Sequence, residues 1–347
     1  MNLLIVTQKV DQNDQLLGFF IGWLERLAKK FDHILILCLE KGEFNLPENV
    51  KVLSLGKDRH WPKLFWLFNF YKYIFQYRKR YDAVLVHMNP IWVVLGGWSW
   101  KLMSKKLFLW YTHKAVTFKL RLAEKLADHI FTASPESFRL PSKKVIVTGH
   151  GIDTNVFKPN PNVQLETLNS KLEILSVGRI APVKNYGTLI EAAKILAERG
   201  FSFEVGIIGE APMAKDRTYE IKIKEEIRRL KLDHHFNFLG KINHQDLPSY
   251  FQSYDLFIHL SKTGSLDKSL LEAMVSGMRV LSSNDWSRHN LPPELVFNEN
   301  DPLGLADKIE NISKTDFREQ LRNYVIKNHN LDGLVEKISR IIYEKSY

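Results

Sequence analysis

The stretch Leu172-Glu-Ile-Leu-Ser-Val-Gly-Arg-Ile-Ala-Pro-Val-Lys-Asn185 decides the fold. Its first six residues form a short apolar run, as expected of a strand covered on both faces. Gly178 ends the run, where a residue without Cβ lets the backbone approach a ligand. A loop carrying Arg179 and Lys184 follows. Helical spacing of apolar residues then runs over Gly187–Arg199, and a second apolar run over Phe203–Ile208. Strand, loop, helix and strand make a βαβ unit, which belongs to a mostly parallel sheet.

The same grammar extends in both directions. Downstream lie the runs Phe236–Leu239, Leu256–His259 and Val280–Ser283, with helical patterns at Arg217–Leu230 and Lys268–Ser276. Upstream lie Leu3–Thr7, Ile34–Leu39, Val50–Leu53, Ala83–His87, Leu107–Tyr111, Ile130–Ala133 and Val145–Thr148, separated by helical stretches such as Leu16–Phe31 and Phe118–Asp128. The alternation pauses at Lys158-Pro-Asn-Pro-Asn162, a segment with the composition of a turn or linker. Two successive α/β domains are predicted, residues 1–160 and 161–330, facing a central cleft where the carboxyl ends of both sheets meet. In residues 331–347, Leu331, Leu334, Ile338, Ile341 and Ile342 recur at helical spacing, which predicts an amphipathic helix packing back on the first domain.

Composition narrows the class. A chain of 347 residues, 45% apolar and 25% charged, suits a two-domain globular protein. Cys38 is the single cysteine, so no intramolecular disulfide can form, and a reducing compartment is expected. It sits within an apolar run, as a buried strand residue would. Met1-Asn-Leu-Leu-Ile-Val6 reads as a first strand and lacks the basic region and cleavage site of a signal peptide. The longest apolar stretch, Ile91–Trp100, is about half the ~20 residues a spanning helix requires. A cytoplasmic protein is expected, at most attached to the inner face of a membrane. The net charge of +10 calls for an anionic partner without specifying which.

Two segments carry the chemistry. In the first, Arg179 and Lys184 stand at a strand end beside a helix N-terminus, a suitable clamp for a diphosphate. The second is Ser261-Lys-Thr-Gly-Ser-Leu-Asp-Lys-Ser-Leu-Leu-Glu-Ala-Met-Val-Ser-Gly277, which follows a strand directly. There a glycine-containing loop opens onto a helix whose first amides are free to cradle a phosphate, with Glu272 one turn further on. Read alone, either segment also fits a solvated loop or an ordinary capped helix.

Together the segments resemble the retaining glycosyltransferases of the group 1 family (family four), which have two Rossmann-like domains in the GT-B arrangement. The resemblance rests on Gly178-Arg179 with Lys184-Asn185, on Leu271-Glu-Ala-Met-Val-Ser-Gly277, and on His150-Gly-Ile-Asp153 with Phe157. Phe238-Leu-Gly240, Leu247-Pro-Ser-Tyr-Phe251 and Asp255 add to it. It implies that Arg179 and Lys184 bind the donor diphosphate and support it as leaving group, with Gly178 beside them. Glu272 would hold the ribose, backbone groups of Lys268, Ser269 and Leu270 the phosphates, and Leu239, Gly240 and Lys241 the base. His113 would contact the transferred sugar or the acceptor. Gly264 and Ser265 belong to the donor loop.

This chain also departs from the family pattern. Where a glutamate eight positions before Glu272 usually touches the donor sugar, Gly264 stands here, and Asp267 occupies a position that is generally glycine. Asp267 either takes over the sugar contact or merely caps its helix. His150 replaces the usual Asn, a change read as tolerated. The first loop reads Gln8-Lys-Val-Asp-Gln-Asn-Asp14 in place of a Gly-Gly element.

The resemblance implies hexosyl or related transfer from a nucleotide-diphosphate sugar, with retention of configuration and with neither a metal nor another cofactor. The acceptor is a glycan, a lipid-linked compound or a small molecule. The alternatives are an inactive sugar-nucleotide-binding protein and a nucleotide-sugar epimerase. The aromatic, cation-studded stretch Trp61–Arg80 fits either a helix packed on its sheet or an interfacial helix on an anionic membrane surface. Nucleic acid is not expected as a partner, because basic residues are scattered over both domains and no recognition motif appears.

Overall fold

The computed structural model describes residues 1–14, 16–160, 171–262, 266–314 and 316–346. Its contacts divide the chain into two units, residues 1–153 with 243–245 and 329–347, and residues 154–242 with 246–328. The first unit is built from β1 (Asn2–Val10), α1 (Phe20–Ala28), β2 (His33–Lys41), β3 (Val50–Ser54), α2 (Lys63–Gln76), β4 (Ala83–His87), α3 (Pro90–Leu102), β5 (Lys106–Trp110), α4 (Phe118–Leu126), β6 (His129–Thr132) and β7 (Val145–Val147). The second contains β8 (Leu172–Val177), α5 (Tyr186–Glu198), β9 (Phe203–Ile208), α6 (Ala214–Arg229), β10 (Phe236–Gly240), α7 (Leu247–Ser253), β11 (Leu256–His259), α8 (Lys268–Val275), β12 (Arg279–Ser282), α9 (Asp285–Asn290), α10 (Pro302–Glu310) and α11 (Arg318–His329). The last helix, α12 (Leu331–Ser346), belongs to the first unit.

The first sheet runs β3-β2-β1-β4-β5-β6-β7 with its neighbours parallel. Alternation along β1 assigns each face its helices. Leu3 and Ile5 enter one buried cluster with Phe20, Trp23 and Leu24 of α1, while Leu4 and Val6 enter another with Phe70, Trp92 and Leu120 of α2, α3 and α4. Both faces are therefore apolar, which is why the strand reads as a continuous run. The expected amphipathic tail is α12. Its Leu331, Leu334, Val335, Ile338, Ile341 and Ile342 join the same cluster as Leu3, Ile5, Ile34 and Ile36.

The end of α12 nearest β7 is pinned where the chain leaves the first unit. Ile152 N donates to His329 O at 2.7 Å, and Leu331 N donates to Ile152 O at 2.9 Å. The Arg26 guanidinium binds both Asp153 (2.8 Å) and Asp332 (2.6 Å), so one cation holds the outgoing and returning segments.

Helix α2 packs through a narrower ridge than a fully seated sheet helix. Only Asn69, Phe70 and Ile74 are buried. Phe70 fits against Trp92 with ring centroids 4.8 Å apart, and Asn69 Nδ2 donates to Leu55 O at 3.1 Å. Trp66, Tyr71 and Tyr73 are half-buried against the same cluster, while Phe65, Phe68 and Phe75 lie on the exposed side of the helix. Leu64 and Phe68 are 79% and 64% exposed, and on neighbouring α3 Trp98 and Leu102 reach 68% and 86%.

The second sheet runs β10-β9-β8-β11-β12, again with parallel neighbours. From β8 the chain builds outward through β9 and β10, then returns to the other side of β8 for β11 and β12. The strand order thus reverses between β8 and β11, and open parallel sheets bind ligands at the carboxyl ends beside such a reversal.

Candidate active site

The loops after β8 and β11 meet at this reversal, where Lys262 N donates to Val183 O at 2.9 Å. Behind them three strand ends lie backbone to backbone. Gly178 N donates to Ile208 O (2.9 Å), and Gly209 N donates to Gly240 O (2.8 Å). A Cβ on Gly209, whose φ is +146°, would stand 1.9 Å from Gly178 O, so only glycine permits this approach.

The cations of the first loop occupy different surroundings. Arg179 is partly exposed at the end of β8 and forms no salt bridge with the described residues. Lys184 ends a 3-10 turn, Pro182–Lys184, and the next residue, Asn185, is left-handed at φ +49°. Asparagine tolerates that conformation, and its side-chain amide donates to Glu299 O at 2.6 Å, locking the entry to α5. The Lys184 stem crosses Gly178 closely enough that an added Cβ there would lie 2.8 Å from Cε.

Asp267 does not cap α8. It holds the N-cap position in an extended conformation, yet its side chain makes no bond to the helix amides. Asp267 Oδ2 instead accepts from Lys184 Nζ at 2.6 Å and pairs with His259 Nε2 at 2.8 Å. The capping expectation is therefore corrected: a cation 83 residues away and a strand histidine outcompete the local amides. Burial pushes the Asp267 carboxyl upward, but Lys184 and the His259 ring together hold it well below the usual carboxylate range. Burial pushes His259 below its ordinary 6.5 against the pull of Asp267.

Helix α8 brings the other expected residues to the same loop. Lys268, Ser269 and Leu270 form its first turn, and Glu272 follows, 3% exposed, with Oε1 3.9 Å from Lys268 Nζ. The helix ends where Met278 N donates to Ala273 O (3.1 Å) and Gly277 N to Met274 O (3.2 Å), a Schellman closure with Gly277 at φ +79°. The Leu271–Gly277 block is thus one helix with its stop signal. Leu239 and Gly240 close β10, one backbone bond from Gly209, and Lys241 beyond them is exposed.

His113 lies in the first unit, exposed in the loop after β5, where its Nδ1 accepts from Ala115 N at 3.0 Å. Gly264 and Ser265 lie outside the described residues. His150 N donates to His329 Nδ1 at 3.3 Å, and burial, reinforced by the nearby His150, pushes His329 down to about 3. Sequence reading missed His259, which it took only as the last residue of a strand. Its signal was a titratable residue ending an apolar run shortly before α8. Among the described residues, no group of three or more His, Cys, Asp and Glu is arranged to hold a metal ion.

Comparison with known proteins agrees with this geometry. The family model for glycosyl transferases group 1 matches residues 160–332, about half of the chain. A 2-deoxystreptamine N-acetyl-D-glucosaminyltransferase of Niallia circulans is 23% identical over 273 residues, 69% of each chain. A mannosylfructose-phosphate synthase of Agrobacterium fabrum is 26% identical over 208 residues, which span 53% of this chain and 45% of that one. Among solved structures, Anabaena Alr3699/HepE in complex with UDP superposes with a TM-score of 0.78 at 18% identity, covering 99% of this chain and 100% of that one. That likeness identifies the fold as GT-B. On the family match over the half that carries the Lys184 and Glu272 loops, the chain belongs to the group 1 glycosyltransferases.

Proposed function

We propose that the enzyme moves a sugar, a hexosyl or related group, from a nucleoside-diphosphate sugar to an acceptor, with retention of anomeric configuration and without a metal. The meeting of the Arg179–Lys184 loop with the first turn of α8, at the strand reversal beside β8, carries this reading. Arg179 and Lys184 neutralise the diphosphate as it leaves, and the amides of Lys268, Ser269 and Leu270 receive its oxygens. Buried Glu272 accepts from the ribose hydroxyls, and the main chain at Leu239, Gly240 and Lys241 borders the base. Residues 161–330 bind the donor. Residues 1–160 bind the acceptor, with His113 contacting it or the transferred sugar. The UDP bound in HepE makes UDP the first nucleotide to try. The names of the relatives support a glycan or small-molecule acceptor here, and a lipid-linked one is the further option.

A thermal-shift panel of UDP, GDP, ADP, TDP and CMP on the wild type and Lys184→Ala tests the reading. A nucleotide at a hundred times its dissociation constant adds about 2.7 kcal/mol of stability. One diphosphate should stabilise the wild type and fail on the variant. Equal stabilisation of both proteins, or of neither at millimolar nucleotide, would refute it.

The α2–α4 layer favours a second element, work at an anionic membrane surface. Basic residues occur in both domains, but the net charge is concentrated in one stretch. Residues 59–123 contain twelve Lys and Arg and one carboxylate, Asp82, so this stretch carries +11 of a total of +10 and the remainder is slightly acidic. Exposed Leu64, Phe65, Phe68, Trp98 and Leu102 stand among those cations. Rings at headgroup depth with Lys and Arg beside them suit anionic lipid. No described helix is long and apolar enough to cross the membrane.

A further inference from the structure

Asp267 and His259 form an ordered array whose direction can be worked out from hydrogen-bonding capacity. An ionised carboxylate only accepts, so His259 Nε2 must carry the proton it shares with Asp267 Oδ2. The neutral ring then accepts at Nδ1, and the donor is Ser282 Oγ, 3.2 Å away. Ser282 in turn accepts from Ser287 Oγ at 2.7 Å. Ser287 is fixed in the first turn of α9, where its amide donates to Asn284 Oδ1 at 2.8 Å. His259, Ser282 and Ser287 are almost wholly buried. The donors run Ser287, Ser282, His259, and the chain ends on the Asp267 oxygen that also receives Lys184 Nζ.

We propose that His259 and Asp267 are positioning residues for Lys184. The imidazole holds the carboxylate away from its own helix, and the carboxylate holds the ammonium over Gly178, facing the leaving diphosphate. This inference rests on the function proposed above for Lys184. A lysine is a point charge on a flexible four-carbon stem, and left alone it samples many positions. Catalysis by charge needs the cation in place before charge develops, because reorganising it during the reaction consumes the gain. The same contact accounts for two sequence oddities at once. Gly178 leaves room for the lysine stem, and an aspartate stands at the head of α8 without capping it. It also keeps the Asp267 side chain from bonding the amides of α8.

The test measures nucleotide affinity and release of UDP from UDP-glucose, or from the donor the thermal panel selects. The proteins compared are wild type, His259→Ala, His259→Gln, Lys184→Ala and the His259→Ala/Lys184→Ala pair, each with its Tm. Misplacing a catalytic group by about 1 Å costs on the order of a hundredfold. His259→Ala should therefore lose roughly that much kcat while KM moves only severalfold. His259→Gln, which keeps an N–H for Asp267, should recover most of the loss. On the Lys184→Ala background the histidine change should cost nothing further, since its effect passes through the lysine. Wild-type kcat in His259→Ala, or an undiminished loss on the Lys184→Ala background, overturns the inference and leaves the proposed function standing. A wild type that none of the five nucleotides stabilises overturns both.

Discussion

Gly209→Ala should damage the proposed donor site without replacing any residue assigned to it. An alanine Cβ would sit 1.9 Å from Gly178 O and 2.8 Å from Gly178 C, and real Cβ contacts essentially never fall below 3.0 Å. The Gly178 carbonyl must therefore retreat by at least 1.1 Å, the difference between 3.0 and 1.9. Arg179 N, 3.5 Å from the same Cβ, moves with it. A displacement of that size at a positioned cation costs about a hundredfold in turnover. The backbone at φ +146° adds about 1–3 kcal/mol of strain in the folded state. In a unit of this size that lowers Tm by roughly 2–12 °C. Gly187→Ala is the control: nothing lies within 4 Å of its Cβ, and it sits in the first turn of α5. It should be neutral or slightly stabilising. Steady-state kinetics and thermal unfolding of both variants decide the matter. Wild-type kcat/KM and Tm in Gly209→Ala would show that the loop absorbs the Cβ, and the close-approach argument would fail.

His329 is pushed down to about 3 in the folded state, whereas an unfolded histidine titrates near 6.5. The unfolded chain therefore binds the extra proton, so stability from this group is complete above about pH 6.5 and is lost as pH falls toward 3. Relative to His329→Gln, the wild type should lose about 2 kcal/mol more between pH 6.5 and 4.5, read by urea unfolding at each pH. For the α2–α3 surface, the quadruple change Leu64→Gln, Phe68→Gln, Trp98→Gln and Leu102→Gln should leave Tm within a few degrees. It should abolish co-sedimentation with phosphatidylserine-containing vesicles, which in the wild type weakens as salt rises. Undiminished sedimentation would exclude that surface.

Most of the scaffold was legible because its strands are buried on both faces. Ala83–His87, Leu172–Val177, Phe203–Ile208 and Leu256–His259 are apolar runs whose limits coincide with the observed strands. Where ends differ, as in β1 running on to Val10, backbone pairing with β2 continues past the apolar run Leu3–Thr7 through Lys9 to Val10. Helices α9, α10 and α11 went unread. They are short or polar, and α11 has only a weak apolar stripe. The packing of α2 was undecidable from Trp61–Arg80, since rings suit a core and an interface equally, and of this helix only Asn69, Phe70 and Ile74 are fully buried. Gly178, Arg179, Lys184 and Glu272, on which the proposed donor site is built, were picked out from local spacing. The tie between Lys184 and Asp267 spans 83 residues, and His259 matters only once that tie is known. Such pairings exist in space and leave no periodicity along the chain.

The seating of α12 on the first sheet also bears on how the chain comes off the ribosome. Leu3, Ile5, Ile34 and Ile36 emerge early together with α1, but α12, the second helix on this face, begins roughly 180 residues after β7 ends. At about 5–20 residues per second, that apolar face waits on the order of 10–40 s for its lid. The second unit, whose strands are contiguous in sequence, can close in the meantime. The first is obliged to mature last, and during that interval it is the half of the molecule a chaperone would find open.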